Sequence, residues 1–266
     1  MAYRDLDTVP AHHLEDAVCF RCQQPGHERW SVDQFGLVEC PGCGQSFASP
    51  RLNDAGRANL YAAAGYFDEG VYANRMATTL QRTWIKGRLD YLDTLRAPTG
   101  RMLEIGCAYG MFLQEAAARG YAIDGLEYSP TAATAASNHL GVPIAHGEIG
   151  DLDETHRADV VTAWDVIEHV SDPHAFAKSA YGLLNPGGTL LLSLPNFDAL
   201  AVRVLGTRWW NLKLDRHIWH FRVEDLRRVL EEAGFRDIAI LSSPLRRVNL
   251  GRIDSVFASA KRPDQS

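Results

Sequence analysis

The chain has 266 residues, 27 basic against 33 acidic side chains for a formal charge of −6, and 46% hydrophobic content. That suffices for one domain of ordinary size plus a small satellite, with a core that needs no disulfides. The acidic balance argues against a nucleic-acid-binding surface. No apolar run of the roughly 18–20 residues needed to cross a bilayer occurs, and Met1–Asp16 lacks the apolar stretch of a secretory leader. The expectation is a cytoplasmic protein with no nucleic-acid or membrane partner.

The first predicted element is metallic. Cys19 and Cys22 are two residues apart, as are Cys40 and Cys43, and seventeen residues separate the pairs. This spacing matches a four-cysteine zinc template, in which each CxxC turn offers two thiolates from one tight knuckle. Pro41, Gly42 and Gly44 suit such a turn. Four thiolates leave no open coordination position, so the predicted zinc is structural. The expected satellite is therefore a zinc ribbon over residues 1–55.

Residues 56–98 read as a linker followed by a helix. Tyr61, Tyr66, Phe67 and Tyr72 punctuate the linker. Met76, Leu80, Trp84, Leu92 and Leu95 recur at helical spacing until Pro98-Thr99-Gly100 ends the run. Strand and helix then alternate. Strands are expected at Arg101–Ile105, Tyr121–Glu127, Val142–Ala145, Asp159–Trp164, Thr189–Leu194, Phe235–Leu241 and Ser255–Ala260. Helices are expected at Met111–Arg119, from Ser129-Pro130 to Leu140, from Asp172-Pro173 to Leu184, and at Val223–Ala233. Ser129 and Asp172 are cap residues, each followed by Pro at the first helical position. Asn185-Pro186-Gly187-Gly188 reads as a turn. The pattern predicts an α/β fold: a seven-stranded, mostly parallel sheet sandwiched by helices over residues 99–266.

The candidate ligand site lies where the first strand of this sheet ends. Open α/β sheets bind ligands outside the carboxyl ends of their strands. There the chain reads Glu104-Ile105-Gly106-Cys107-Ala108-Tyr109-Gly110, and Glu127 ends the next strand twenty-one residues after Gly106. A carboxylate so placed accepts hydrogen bonds from ribose hydroxyls. The turn lacks the third glycine of a dinucleotide motif, and no phosphate-binding lysine follows it.

These segments resemble the class I S-adenosylmethionine-dependent methyltransferases. The glycine turn is similar to the family's first motif. Leu126-Glu127-Tyr128-Ser129-Pro130 is similar to its acidic second-strand end, Trp164-Asp165-Val166-Ile167-Glu168-His169-Val170 to the fourth-strand motif of ubiquinone-type O-methyltransferases and of sugar and natural-product methyltransferases, and Leu184–Leu190 to the turn before the fifth strand. The resemblance covers roughly residues 75–260. It implies a Rossmann-like methyltransferase that uses S-adenosylmethionine (SAM) on a small-molecule acceptor: a sugar, a phenol or a secondary-metabolite intermediate. It implies that Glu104, Gly106, Cys107 and Gly110 surround the methionine end, that Glu127 holds the ribose, that Tyr128 packs on the adenine, that Glu148 and Ile149 approach the adenine amine, and that Asp165 contacts the cofactor. Cys107 is read as a small residue in a tight space and not as a nucleophile.

Transfer to oxygen or nitrogen usually needs a proton acceptor, and histidine suits that task near neutral pH. His169 follows the fourth strand. His217 and His220 lie in a stretch similar to the family's acceptor-side His-x-x-x-Phe. Asp165, Glu168 and His169 also form a set similar to one that binds a divalent cation in some ubiquinone-type enzymes. The preferred reading is that Asp165 contacts the cofactor while Glu168 orients its neighbours. Residues 195–221, with Trp209, Trp210 and Trp219, are expected to form a lid whose aromatic rings suit a partly apolar or sugar-like acceptor. Two other functions fit the motifs less well: an RNA methyltransferase docking through its ribbon, and a non-catalytic interaction module.

Overall fold

The computed structural model describes residues 9–62, 79–241 and 254–264. In chain order the N-terminal strands are β1 (Leu14–Glu15), β2 (His27–Val32), β3 (Phe35–Glu39), β4 (Ser46–Ala48) and β5 (Arg51–Leu52). The later strands are β6 (Arg101–Ile105), β7 (Ala122–Glu127), β8 (Ala145–His146), β9 (Ala158–Trp164), β10 (Leu184–Pro195), β11 (Trp219–His220), β12 (Arg236–Leu241) and β13 (Ser255–Lys261).

The main sheet has seven strands in the order β12-β13-β10-β9-β6-β7-β8. β10, β9, β6, β7 and β8 pair in parallel, and β13 runs antiparallel to both β10 and β12. Helices cover both faces, so the central strands carry continuous buried runs instead of alternation. Met102 through Ile105 and Val160 through Ala163 are buried throughout. The predicted seven-stranded α/β sandwich is the observed fold.

The helix starts follow their caps. Ser129 Oγ accepts from the Ala132 amide at 3.4 Å, and Asp172 Oδ1 accepts from the His174 and Ala175 amides at 2.8 and 3.1 Å. Pro130 and Pro173 stand in the first turns. The helix Val223–Glu232 buries Leu226, Val229 and Leu230 on one face.

Several boundaries differ from the sequence reading. The third strand of the alternation is confined to Ala145–His146, pairing with Leu126 and Glu127. Pro143 has no amide hydrogen to donate, which disfavours a ladder that begins earlier. Asn185–Gly188 is a bulge within β10: between the pairs Leu184–Ala158 and Thr189–Val160, four residues lie opposite the single Asp159. The helix Thr79–Leu95 presents Ile85, Leu89 and Leu92 to the core, with Trp84 only half-buried. Met76, Tyr66, Phe67 and Tyr72 lie outside the described residues. Where a linker was expected from residue 56, a helix runs over Asp54–Ala62.

The N-terminal sheet holds a feature absent from the sequence reading. Its order is β11-β4-β3-β2, all antiparallel. Three strands come from the cysteine-bearing segment, and the fourth comes from residues 219–220. Trp219 pairs with Phe47 and His220 with Ser46. Gln45 Nε2 donates to the His220 carbonyl at 3.0 Å, and Arg222 Nη2 meets Glu39 at 3.1 Å. Trp219 packs edge-on against Phe20 with ring centroids 4.8 Å apart, and its indole N–H donates to the Val170 carbonyl at 2.8 Å.

The segment 195–221 thus packs differently from the expectation. Trp209 and Trp219 are each 2% exposed and do not line the cavity at the carboxyl ends of the sheet; Trp210 is 52% exposed. Asp254 secures this segment, accepting from the Trp209 and Trp210 indoles at 2.9 and 2.8 Å and from Asn211 Nδ2 at 2.9 Å. The aromatic rings serve packing and tethering. Among the described residues no helix is long and apolar enough to cross a membrane.

Candidate active site

A cavity of about 450 Å³ opens at the carboxyl ends of β6, β7 and β9. Ile105, Gly106 and Ala108 form its floor, Glu127 and Tyr128 one side, and Gly147 to Gly150 a further wall. Asp165, Val166 and His169 close another side, and Arg57 and Tyr61 reach in from the helix Asp54–Ala62. Glu104, Cys107, Gly110, His217 and His220 stand outside this lining.

The glycine turn is tightly built. The Gly106 and Cys107 amides both donate to the Leu126 carbonyl, at 2.8 and 3.1 Å. Gly106 has φ +72°, and a Cβ there would stand 2.7 Å from Val166 Cγ2, so only glycine fits. Ala108 and Asp165 also adopt left-handed backbone, at φ 48° and 54°. Non-glycine residues there store strain that collects at functional sites.

Two buried carboxylates face the turn. Glu127 is 4% exposed; its Oε2 accepts from the Ala108 amide and its Oε1 from the Ser129 amide, each at 2.8 Å. Burial raises its pKa, against the pull of these amides. Each oxygen keeps a second lone pair for an outside donor. Glu104 is 3% exposed, and its Oε2 has no hydrogen-bond partner among the described residues. Burial holds its carboxyl well above the usual range; the Arg88 charge opposes the rise and Glu127 adds to it. An orphaned buried carboxylate oxygen beside a guanidinium suits a zwitterion, so the residues present fit the amino-acid end of SAM. Arg88 was not singled out in the sequence, because one arginine in a helix of mixed charge reads as solvent-facing. In the structure its guanidinium lies over Trp164, 4.2 Å from the ring centroid, and donates to Ser193 Oγ at 3.3 Å.

Tyr128 meets Tyr61 edge to face at 5.2 Å. Glu148 is exposed and caps a short turn, its amide donating to Asp151 Oδ2 at 2.7 Å. Burial raises the Cys107 thiol pKa, so the sulfur stays protonated in its niche.

The three histidines divide. His169 lines the cavity. Its Nδ1 is 2.9 Å from the Arg216 carbonyl, which places the proton on Nδ1 and leaves Nε2 as an acceptor. His217 is locked likewise, with Nδ1 2.8 Å from the Asn211 carbonyl. His220 is 3% exposed and its Nε2 has no partner among the described residues. Burial draws His169 down to about 4, His220 to about 3, and His217 well below its ordinary value. Glu168 is 1% exposed, with both carboxylate oxygens unpartnered among the described residues. Burial first, and Asp165 second, hold its pKa well above normal. Glu168, His169 and His217 bring one ligand atom each within 4.8 Å of the others. Asp165 is not part of this group; Ser193 Oγ donates to its carboxylate at 3.3 Å.

The four predicted cysteines also converge, their sulfurs all within 4.8 Å of one another and none in a disulfide. The knuckles match: the Cys19 amide donates to Gln24 and the Cys40 amide to Gln45, both at 2.9 Å. Gln23 and Gly44, each following a second cysteine, have φ 54° and 76°. Four such thiols fit a tetrahedral zinc.

The comparisons with known proteins agree with this geometry. A family profile described as a methyltransferase domain matches residues 76–240. The chain is 30% identical over 178 residues to the ubiquinone biosynthesis O-methyltransferase of Aromatoleum aromaticum, covering 60% of this chain and 76% of that protein. It is 30% identical over 145 residues to the enzyme of the same name from Xanthomonas axonopodis pv. citri, covering 51% of this chain and 61% of the relative. Against that relative the chain thus spans less than two thirds of its length. The crystal structure of N-methyltransferase NodS from Bradyrhizobium japonicum with S-adenosyl-L-homocysteine superposes with a TM-score of 0.52 at 18% identity, over 71% of this chain and 91% of NodS. That likeness speaks to the fold. With its seven-stranded sheet, its glycine turn backed by Glu127, and a family match over more than half its length, the chain belongs to the class I SAM-dependent methyltransferases.

Proposed function

We propose that the protein methylates a small-molecule acceptor, a phenol, sugar or secondary-metabolite intermediate, with His169 as the proton acceptor. The observation that carries this reading is the position of His169. Of the three candidate histidines it is the one that lines the cavity, together with Glu127 and Tyr128. SAM supplies a methyl group on a sulfonium, which is electrophilic without further activation. The chain's residues bind, orient and deprotonate. Glu104 and Arg88 receive the ammonium and carboxylate of the methionine end. Glu127, already fixed by two amides, accepts from the ribose. Tyr128 and Ile149 flank the adenine, with Glu148 and Asp165 at its rim. Gly106 and Gly110 let the backbone come close, and Cys107 fills a gap behind it.

His169 Nε2 is held as an acceptor by the Arg216 carbonyl. A positioned base contributes about 10²–10⁴-fold, and alignment several kcal/mol more. His217 and His220 sit behind it and orient the acceptor wall. The relatives named for ubiquinone O-methylation favour oxygen as the acceptor atom. The cysteine cluster holds a structural zinc.

Isotope-labelled SAM incubated with pools of phenols and sugars tests the reading. Label should pass to a small molecule in the wild type and fall by about 10²-fold or more in His169→Gln at unchanged affinity for S-adenosylhomocysteine. No binding of S-adenosylhomocysteine at millimolar concentration would overturn the whole assignment.

One observation favours a second reading of the same wall. Both Glu168 oxygens lack a hydrogen-bond partner among the described residues, and beside them stand His169 and His217, whose Nδ1 atoms are already engaged by carbonyls. A proton on Glu168 resolves this, and so does a divalent cation, which would lower the pKa of a bound hydroxyl. The ligand set would then be Glu168, His169 and His217 in place of Asp165, Glu168 and His169. Metal analysis decides: one equivalent beyond the cysteine-bound zinc, lost in His217→Gln, supports the cation.

A further inference from the structure

A narrow crevice adjoins the cavity and is walled by three arginines, Arg51, Arg57 and Arg216. Arg57 and Tyr61 line both spaces, so the crevice and the cavity are neighbours across these two side chains. Each guanidinium has an acid. Arg51 Nε meets Glu15 at 2.8 Å, Arg57 Nη2 meets Asp54 at 2.6 Å, and Arg216 Nη2 meets Asp215 at 2.8 Å.

The two signs are arranged unequally. Of these three acids Asp215 alone lines the crevice. The Asp54 side chain is 93% exposed and that of Glu15 is 42% exposed, against 11% for Arg57 and 16% for Arg51. Water screens the outward carboxylates, so they offset the inward charge weakly. Arg51 Nη1 is buried without a hydrogen-bond partner among the described residues. A buried donor left unmade is costly, and a charged one more so.

The crevice has room for about 10 Å³, close to one water molecule or one oxygen atom. It therefore suits one oxygen of an oxyanion whose remaining atoms stay in the larger cavity beside Arg57. Guanidinium forks favour carboxylate and phosphate geometry.

The position gives this a role. On one side Tyr61 abuts Tyr128. On the other, Arg216 holds His169 through its carbonyl. The crevice thus lies between the nucleoside side and the base. We infer that the acceptor is an anion, and that its phosphate or carboxylate group docks on Arg57 and reaches toward Arg51 and Arg216. The acceptor role rests on the methyl-transfer reading above; the anion site stands on its own geometry.

The test uses the full chain saturated with S-adenosylhomocysteine. Inorganic pyrophosphate and benzoate are titrated separately by calorimetry at constant ionic strength, with chloride as the control anion. At least one should bind more tightly than chloride. Pyrophosphate binding alone assigns a phosphoryl group, and benzoate binding alone a carboxylate. Arg51→Gln and Arg57→Gln should each weaken that binding about tenfold or more, while affinity for S-adenosylhomocysteine in Arg51→Gln stays within about twofold. Thermal melts check folding; if a Gln variant does not fold, Arg57→Lys and Arg51→Lys keep the charge but lose the fork, and should still weaken binding. Binding no tighter than chloride, or unchanged in the folded variants, overturns the inference. If S-adenosylhomocysteine itself fails to bind, the methyl-transfer reading falls; if it binds and the anions do not, the anion site falls alone.

Discussion

Replacing Trp219 by alanine should detach the cysteine-bearing segment from the rest of the protein. Trp219 is 2% exposed and packs on Phe20 and Phe47, with ring centroids at 4.8 and 5.5 Å. A buried tryptophan covers about 150–250 Å², which at about 25 cal/mol per Å² corresponds to about 4–6 kcal/mol. Large-to-small core substitutions of this kind cost about 3–5 kcal/mol. Loss of the indole N–H also strips the Val170 carbonyl of its 2.8 Å donor, for about 1 kcal/mol more. The expected loss is therefore about 4–6 kcal/mol, a large part of a typical domain's stability. Trp210→Ala is the internal control, because that ring is 52% exposed and should cost about 1 kcal/mol. Urea unfolding followed by circular dichroism gives both values from the midpoint and slope. If Trp219→Ala does not fold, Trp219→Phe removes the N–H but keeps a ring, and should lose about 1–2 kcal/mol. Equal midpoints for Trp219→Ala and Trp210→Ala would refute the view that this residue joins the two sheets.

Three further outcomes are expected. Cys40→Ser should lower bound zinc and melting temperature together; a fully folded, zinc-free variant would show that the cysteine cluster is not a structural metal site. Gly106→Ala forces a side chain into left-handed backbone, 2.7 Å from Val166; affinity for S-adenosylhomocysteine should fall about tenfold or more, and an unchanged affinity by calorimetry would contradict the tight approach at this turn. His220 is held at about 3 against an ordinary 6.5, so its stabilising contribution is complete above 6.5 and is lost as pH falls toward 3. Between pH 6.5 and 4.5 that amounts to about 2 kcal/mol. His220→Gln should lose about that much less stability than wild type over this range, and parallel profiles would rule out a buried neutral His220.

Much of this was legible because it is local. Ser129-Pro130 and Asp172-Pro173 set helix starts whatever packs around them, and the two CxxC pairs carry their own turns. Glu127 was readable from its distance to the glycine turn. The rest depends on partners far away in sequence. The pairing of Trp219 with Phe47 joins segments 172 residues apart, and two-residue strands leave no periodicity to read. The helix Asp54–Ala62 was hidden by its Gly56 and by the tyrosines after it. Arg57 and Arg88 resemble surface charges on mixed helices, and only tertiary structure turns them inward. The convergence of Glu168 with His217 needs the fold of residues 211–217 back onto the β9 loop.

The β11–β4 pairing also has a consequence for where this protein can be cut. The family match begins at residue 76, which makes a chain trimmed to 76–266 look like a reasonable minimal enzyme. Such a chain would leave Trp219 and His220 as an uncovered strand edge, flanked by the apolar faces of Ile218 and Phe221 that Phe20 and Phe47 had shielded. Open edges of that kind template pairing between copies. The trimmed protein is thus expected to aggregate instead of working as a smaller catalyst. By the same reasoning, exchanging the cysteine-bearing segment between relatives would require residues 217–222 to travel with it.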